Sequence, residues 1–501
     1  MCGVADVDER LSGQLGADGP RHREPADTGV EDPDRRVVHD SPAYPRASRR
    51  AHQRAQYAER MTTSTALLTD RYELTMLAAS LRDGTAFRPS VFELFSRRLS
   101  GGRRFGVVAG TGRLLGLLRD FRFGEEELRF LRDAQVVDAE SLKYLEDYRF
   151  TGTIRGYREG ELYFPGSPIL TVEGTFADAV VLETLALSVL NHDSAVATAA
   201  ARMSIAAGER PLAEMGSRRA AERSAVAAAR AAYIAGFGAT SNLEAGRSWG
   251  IPTMGTAAHS WTLLHDTEEE AFRAQVESMG TDTTLLVDTY DIRTGVETAI
   301  RVAGTRLGGV RIDSGDLPIV AADVRAQLDE LGAADTRITV TSDLDEYAIA
   351  ALAASPVDAY GVGTSVVTGS GYPTASMVYK LVARQDGAGS WIGVAKASAD
   401  KASYGGRKAA FRTLVDGVAT AETVVVSDGF EELDTPDEHP DGRPLQVTFV
   451  EAGDIDTAHE GSEGTASARA HHLRVREELP VRALALSKSD PAIPTVYVEA
   501  D

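Results

Sequence analysis

From residue 62 onward the chain alternates apolar and polar stretches, and the period of the alternation changes along its length. Up to about 150 the spacing is helical. Leu74, Met76, Leu77 and Leu81 fall on one face of a first helix, and Leu114, Leu115, Leu117 and Leu118 on a face of another. Residues 151–174 (TGTIRGYREGELYFPGSPILTVEG) break into short β-like runs separated by Gly and Pro, which predicts strands joined by turns. An alanine-rich stretch from about 177 to 206 predicts one long helix. A three-part unit then recurs: a short apolar run, an abrupt polar cluster and a helical stretch.

The apolar leads include 285–287, Val310 with Ile312, 338–340 and 357–362. The polar clusters are E214-MGSRR, T240-SN, G255-TAAHS, D288-TYD, R311-IDSGD, T341-SD and G361-VGTS. Strand, polar loop and helix repeated in this way predict a parallel α/β barrel over 196–385. In such a barrel the carboxyl ends of the strands carry the active site, so the clusters are expected to share one cleft. Beyond about 385 the pattern changes to β-like runs (391–398, 424–426, 445–450) and an acidic segment, 451–467, that reads as mobile. Residues 61–195 form a separate N-terminal region, and 386–501 a second non-barrel region.

Residues 1–60 differ from the rest. They contain no Ile, Phe or Trp, and Leu11 and Leu15 are their only leucines, against ten arginines and eleven acids. Such a stretch buries too little apolar surface to offset its ordering entropy and is expected to be disordered. A transit peptide would be acid-poor. The expectation is a mis-called start, with Met61 as the natural one.

Composition narrows the function classes. The chain has 501 residues, 43% hydrophobic and 25% charged, with a formal net charge of -21. That balance argues against a nucleic-acid or anionic-membrane binder, while leaving room for a local basic pocket that takes a phosphorylated metabolite. One cysteine, Cys2, allows neither an internal disulfide nor a cysteine metal cluster, which suits a reducing cytoplasm. No apolar run reaches membrane-span length and the N-terminus has no signal-peptide core, so a cytoplasmic protein is expected.

Several clusters carry chemistry. G361-VGTSVVTGSG-G371 has four glycines whose backbone N–H groups could turn toward a phosphate, with a helix following; a long polar loop needing glycine for its turns is the alternative. R311-IDSGDL-L317 sets Arg311 and Asp313 on one side of a strand, with Asp316 placed to cap the next helix. Its carboxylates suit ribose hydroxyls or a water-mediated Mg²⁺. In G216-SRRA-A220, Arg218 could present a planar fork to a carboxylate or phosphate, whereas Arg219 reads as solvated. Tyr72 is a core aromatic or a stacking platform for a ring held by another domain or subunit. His259 shares the predicted cleft edge and could be a general base, a nucleophile or a metal ligand. No second histidine is spaced for ligation, because His265 would point into the next helix.

Seven motifs occur in order: T69-DRYELTM, F92-ELFSRRL, G216-SRRA, Y233-IAGFGATSN, G255-TAAHS, R311-IDSGDL and G361-VGTSVVT. Together they resemble the nicotinate phosphoribosyltransferase family across 62–412, whereas 1–60 has no counterpart. The resemblance implies an irregular α/β barrel of the type II phosphoribosyltransferase kind, beside an α+β domain built from both chain ends. It implies transfer of phosphoribose from phosphoribosyl pyrophosphate to nicotinate in NAD salvage, coupled to ATP hydrolysis through a phosphohistidine. Mg²⁺ would arrive on the pyrophosphate, and the protein would be a homodimer. By the same matching His259 is the phosphorylated residue, Tyr72 stacks on the pyridine ring, and Thr256, Arg311 and Arg218 line the substrate pocket. Asp313, Ser314, Gly315, Gly361, Gly363 and Thr364 take the ribose and its phosphate. Quinolinate and nicotinamide phosphoribosyltransferases are the sister alternatives, and a non-catalytic metabolite-binding barrel is the rival from another class. A barrel aldolase would need a Schiff-base lysine, for which Lys380 is the one candidate in 196–385.

Overall fold

The computed structural model describes residues 64–395, 404–427 and 442–499. The expectation of disorder and of a late start falls on 1–60, outside the described residues. The first helix, α1 (Arg71–Asp83), ends at Gly84, whose φ of 81° is the left-handed stop that glycine adopts without penalty. It buries Leu74 and Leu77, with Met76 and Leu81 half-buried beside them, as the 3.6-residue spacing predicts. Strands β1 (Pro89–Ser96), β2 (Thr153–Tyr157) and β3 (Leu170–Thr175) follow, then the alanine-rich helix α2 (Glu183–Ala207).

Six short strands then alternate with helices. They are β4 (Leu212–Glu214), β5 (Ala239–Thr240), β6 (Thr284–Leu286), β7 (Gly309–Ile312), β8 (Arg337–Val340) and β9 (Ala359–Val362). Helix α3 (Glu222–Ile234) connects β4 to β5, and the short α4 (His259–Leu264) precedes β6. All six strands are parallel, in the order β5-β4-β9-β8-β7-β6. The edge strands β5 and β6 are not paired with one another among the described residues, so the expected barrel is a curled parallel half-barrel. The stretch that reads as a strand leading to His259 explains the gap. Residues 251–258 make only one parallel bridge, Thr253 to Thr240, and are mostly exposed. Pro252 lacks an N–H and Gly255 has no side chain to pack, so a ladder cannot propagate there.

The remaining strands are β10 (Met377–Gln385), β11 (Trp391–Gly393), β12 (Arg407–Val415), β13 (Val418–Ser427), β14 (Gly442–Pro444), β15 (Gln446–Glu451), β16 (Asp454–Ile455) and β17 (Thr495–Glu499). A seven-stranded antiparallel sheet runs β11-β10-β1-β3-β2-β15-β16, and a second sheet runs β14-β12-β13-β17. Helix α2 joins two cores. Leu185, Val189 and Leu190 pack with Leu74, Phe92 and Tyr379 beside the antiparallel sheet, whereas Val196, Ala200 and Met203 pack with Phe237, Ile312 and Val340 of the half-barrel. The stretch 193–204 of α2 is buried on every side, and the alanines there let neighbours approach closely.

The acidic segment 451–467 is ordered, contrary to its composition. It forms β16 and the first half of helix α5 (Gly461–Val475). Glu460 pairs with Arg119, and Thr465, fully buried, accepts from Arg230 Nε at 3.1 Å. Its small residues permit the approach: a Cβ on Gly464 would lie 2.3 Å from the His459 carbonyl carbon. Lys380 lies on β10, opposite Glu93 in the antiparallel sheet and 3.9 Å from a Glu183 oxygen. It is not at the end of a half-barrel strand, which removes the aldolase reading.

Candidate active site

The parallel register sets Glu214 beside Thr240 and Val362, and Val340 beside Ile312 and Tyr360, so the strands deliver their carboxyl ends to one edge. The residues just past that edge line a cleft of about 320 Å³. Its cations are Arg218, Arg219 and Arg311, its carboxylates Asp313 and Asp343, and its neutral wall includes Thr341, Gly361, Gly363 and Thr364. Four of the seven polar clusters, those at 214–219, 311–316, 341–343 and 361–365, line this cleft, whereas those at 240–242, 255–260 and 288–291 do not border it.

Arg311 is the partly buried cation. Its Nη1 donates to Thr256 Oγ1 at 2.7 Å, and its Nε is buried with no hydrogen-bond partner among the described residues. Burial holds its pKa below the usual guanidinium value, Arg218 adds to the effect, and Asp313 and Asp288 oppose it. A guanidinium in this state gains from an anion that offers two acceptors in its plane. Asp313 in turn accepts from the Thr341 hydroxyl. The turn that carries it is fixed from beneath, because Asp288 Oδ2 accepts from the Asp313 N–H and from Ser314 Oγ, each at 2.8 Å. Gly315 continues the turn with a φ of 92°. Asp316 occupies the helix N-cap, as expected, but its side chain makes no cap bond.

His259 opens α4 with its side chain 41% exposed. Its Nδ1 lies 3.1 Å from Thr289 Oγ1 and its Nε2 lies 4.0 Å from Asp313 Oδ2. The packing alternative for this histidine is thereby removed, since a core residue would face apolar neighbours. His265 turns back onto its own helix, with Nδ1 2.8 Å from the Trp261 carbonyl.

The arginine turn is held by a fully buried carboxylate. Glu214 accepts from Thr240 Oγ1 at 2.6 Å and from the Gly216 N–H, and burial raises its pKa. Gly361 is required by contact: a Cβ there would lie 2.7 Å from both Met215 Sδ and Thr341 Cγ2. The glycine-rich loop is shorter as a site than its sequence implies. The helix after it has four residues, Thr364–Val367, and the Gly369 carbonyl accepts from Arg103 instead of bordering the cleft.

Tyr72 is not brought into the cleft. It is 45% exposed on the first turn of α1, and burial of its hydroxyl together with Glu183, Glu73 and Asp70 raises its pKa. Arg219, which reads as solvated in the sequence, lines the cleft with Arg218. Asp288, Thr289 and Thr341, which bond Asp313, Ser314 and His259, fall in the polar clusters but were not singled out by sequence reasoning. The signal was there, since each follows an apolar run at a strand end. A roomier cavity of about 740 Å³ borders Glu93, Arg97, Tyr404, Lys408, Arg482 and Tyr497. Its buried Lys408–Glu93 pair, 2.9 Å apart, is already satisfied, and it shares none of the strand-end clusters. Among the described residues no group of three or more His, Cys, Asp or Glu is placed to hold a metal ion.

A family model described as the nicotinate phosphoribosyltransferase N-terminal domain matches residues 67–191. The chain is 54% identical over 454 residues to the Mycobacterium tuberculosis nicotinate phosphoribosyltransferase pncB1, covering 87% of this chain and 95% of that protein. It is 38% identical over 362 residues to a Bacillus subtilis protein of the same name, covering 70% and 74%. The crystal structure of human nicotinic acid phosphoribosyltransferase superposes with a TM-score of 0.69 at 26% identity, over 86% of this chain and 97% of that one. A Pyrococcus furiosus nicotinate-nucleotide pyrophosphorylase gives a TM-score of 0.66 at 23% identity, a likeness of fold.

Proposed function

The chain belongs to the nicotinate phosphoribosyltransferase family and is an enzyme of NAD salvage, and from that premise we propose how its cleft performs the reaction. The observation that carries the proposal is the convergence of Arg218, Arg219 and Arg311 with Asp313 on a glycine-lined edge. Nicotinate presents a carboxylate, and Arg311 offers a fork with an unused Nε beside Thr256. Gly361, Gly363 and Thr364 let backbone approach the ribose phosphate, and Asp313 with the Ser314–Gly315 turn faces the ribose hydroxyls. The pyridine nitrogen attacks C1 of the ribose, the C1–O bond to pyrophosphate breaks, and the electron pair leaves on pyrophosphate. The protein's part is alignment and charge compensation.

Mg²⁺ would neutralise the leaving pyrophosphate. The donor set fits a cation that arrives on its substrate, because Asp288 Oδ1 is a buried acceptor without a partner, beside Asp313. His259 would accept a phosphoryl group from ATP, adding roughly two negative charges at the cleft edge. Tyr72, half-exposed and away from the cleft, is supplied to the pyridine ring by a second copy in a homodimer. The antiparallel sheet, with strands from both 89–175 and 377–455, supports an α+β domain built from both chain ends beside the half-barrel. We keep the division 61–195, 196–385 and 386–501 except at one boundary, because β10 (Met377–Gln385) pairs with β1 in the antiparallel sheet and so belongs with the end-built domain. No helix among the described residues is long and apolar enough to cross a membrane, and we place the enzyme in the cytoplasm.

Turnover on nicotinate, nicotinamide and quinolinate, each with and without ATP, tests the assignment. Nicotinate is expected to be used best and to be stimulated by ATP. A preference for either other pyridine, or ligand binding without product, would refute it. Incubation with γ-labelled ATP should leave acid-labile label on the wild type and none on H259A, which should retain slow transfer without ATP coupling.

A further inference from the structure

We propose that Glu346 is a positioning residue that locks the back of the glycine-rich loop to the loop after β8, so that the ribose phosphate of phosphoribosyl pyrophosphate meets polar groups already in place. The inference rests on the phosphoribosyl-transfer reading of this cleft. Two of the cleft walls are loops, 341–343 after β8 and 361–364 across β9 and its carboxyl end. The second half of the glycine motif, 369–371, does not border the cleft, and the structure gives it another task. Ser370 Oγ donates to Glu346 Oε2 at 2.6 Å. Glu346 opens the short helix Glu346–Ala351, shortly after Asp343 in the chain. Its other oxygen, Oε1, accepts from Nε of Arg202 on α2 at 3.0 Å. Burial opposes ionisation of this carboxyl, but the bonds from Ser370 and Arg202 outweigh it and hold the pKa below the usual carboxylate value. The direction of both bonds is therefore fixed, since a guanidinium only donates and an ionised carboxylate only accepts.

The anchor is buried and braced. Glu346 is 2% exposed and Arg202 4%. Arg202 also donates from Nη2 to the Leu486 carbonyl at 3.0 Å, so a second element fixes it. Ser370 has a φ of 50°, a left-handed conformation that is strained for serine and persists where its surroundings hold it. Its N–H donates to the Ser365 carbonyl at 2.7 Å, closing a turn directly behind Thr364. Beside it the Gly369 carbonyl accepts from Arg103 Nη2 at 2.6 Å. A phosphate placed on Gly363 and Thr364 thus meets a loop whose conformational entropy is lost on folding, not on binding.

Two measurements on the full chain test this. Hydrogen exchange of the substrate-free protein reads the loop itself: amides of 364–370 should exchange about tenfold faster in S370A and E346A than in wild type, with those of α5 unchanged. Equal rates over 364–370 overturn the proposal. Steady-state kinetics read the consequence. S370A should raise the KM for phosphoribosyl pyrophosphate about tenfold, the effect of one lost hydrogen bond, with kcat and the KM for nicotinate within about twofold of wild type. E346Q still accepts from Arg202 through its carbonyl oxygen and donates to Ser370 through its amide, so it should recover most of what E346A loses. An unchanged KM for phosphoribosyl pyrophosphate in S370A, or E346Q as impaired as E346A, overturns it. S370A removes only a hydroxyl and carries both measurements if E346A does not fold. If wild type makes no nucleotide from phosphoribosyl pyrophosphate, the transfer reading falls, and the exchange rates still decide whether Glu346 locks the loop.

Discussion

Arg311 Nη1 donates to Thr256 Oγ1 at 2.7 Å, which ties a strand-borne guanidinium to the loop that carries His259. The bond uses one of five N–H groups and leaves Nε buried without a partner among the described residues, the arrangement our proposal assigns to a flat anion. R311K keeps the charge and loses the fork. It should raise the KM for nicotinate about 10- to 100-fold with a smaller change in kcat, measured by steady-state kinetics with the other substrates saturating.

At Gly361 the expected effect is steric. An alanine methyl would meet Met215 Sδ and Thr341 Cγ2, each at 2.7 Å from the added carbon. Met215 can swing away, but the Thr341 hydroxyl is committed to Asp313. G361A should destabilise the fold by about 1–3 kcal/mol in urea titration and raise the KM for phosphoribosyl pyrophosphate more than that for nicotinate.

Away from the cleft, Arg230 and Glu159 form a bidentate pair with both bonds at 2.6 Å, side chains 1% and 5% exposed. Arg230 also lies over Trp249, 4.6 Å from the ring centroid, and bonds Thr465 of α5. The pairing holds the Glu159 pKa below its usual value against burial. R230M leaves that carboxylate buried without its cation and should cost about 3–5 kcal/mol in chemical denaturation. Adding E159Q should recover part of the loss.

His472 gives a pH test. It is fully buried, with Nδ1 3.0 Å from the Gly160 carbonyl, and burial pushes its pKa down to about 4, the carbonyl bond opposing. The unfolded chain therefore binds the proton first. The stability from keeping this ring neutral is complete above about pH 6.5 and is lost as pH falls toward 4, on the order of 3 kcal/mol over the window. H472N, which can still donate to Gly160 and does not titrate, should show a shallower fall in thermal-unfolding scans between pH 7 and 4.5. An identical slope would refute the assignment.

Much of this was legible in the sequence because periodicity reports burial directly. The apolar leads before Asp288, Asp313 and Thr341 became strands β6, β7 and β8, and their polar followers met at one edge. Three features were not legible, each for a physical reason. The acidic stretch 451–467 resembles a solvated loop by composition, yet its small residues let α5 lie close against His459, and Arg119 and Arg230 lie far from it in sequence. Residues 251–258 carry the apolar approach of a strand, but one proline and one glycine reduce it to a single bridge. Arg219 beside Arg218 could not be sorted by pattern, because a three-residue 3-10 turn sets no alternating face.

That incomplete strand gives the half-barrel a seam. On one side Thr253 bridges β5; on the other, Thr256 bonds Arg311 of β7 and His259 bonds Thr289 just past β6. Where a closed barrel would have a backbone ladder, this fold has two side-chain hydrogen bonds, and both involve residues of the proposed site. Parting them costs on the order of 1–3 kcal/mol, far less than unzipping a strand. The seam of the described half-barrel therefore runs through the proposed site, and a ligand that gripped Arg311 and His259 together would also fasten the wall around itself.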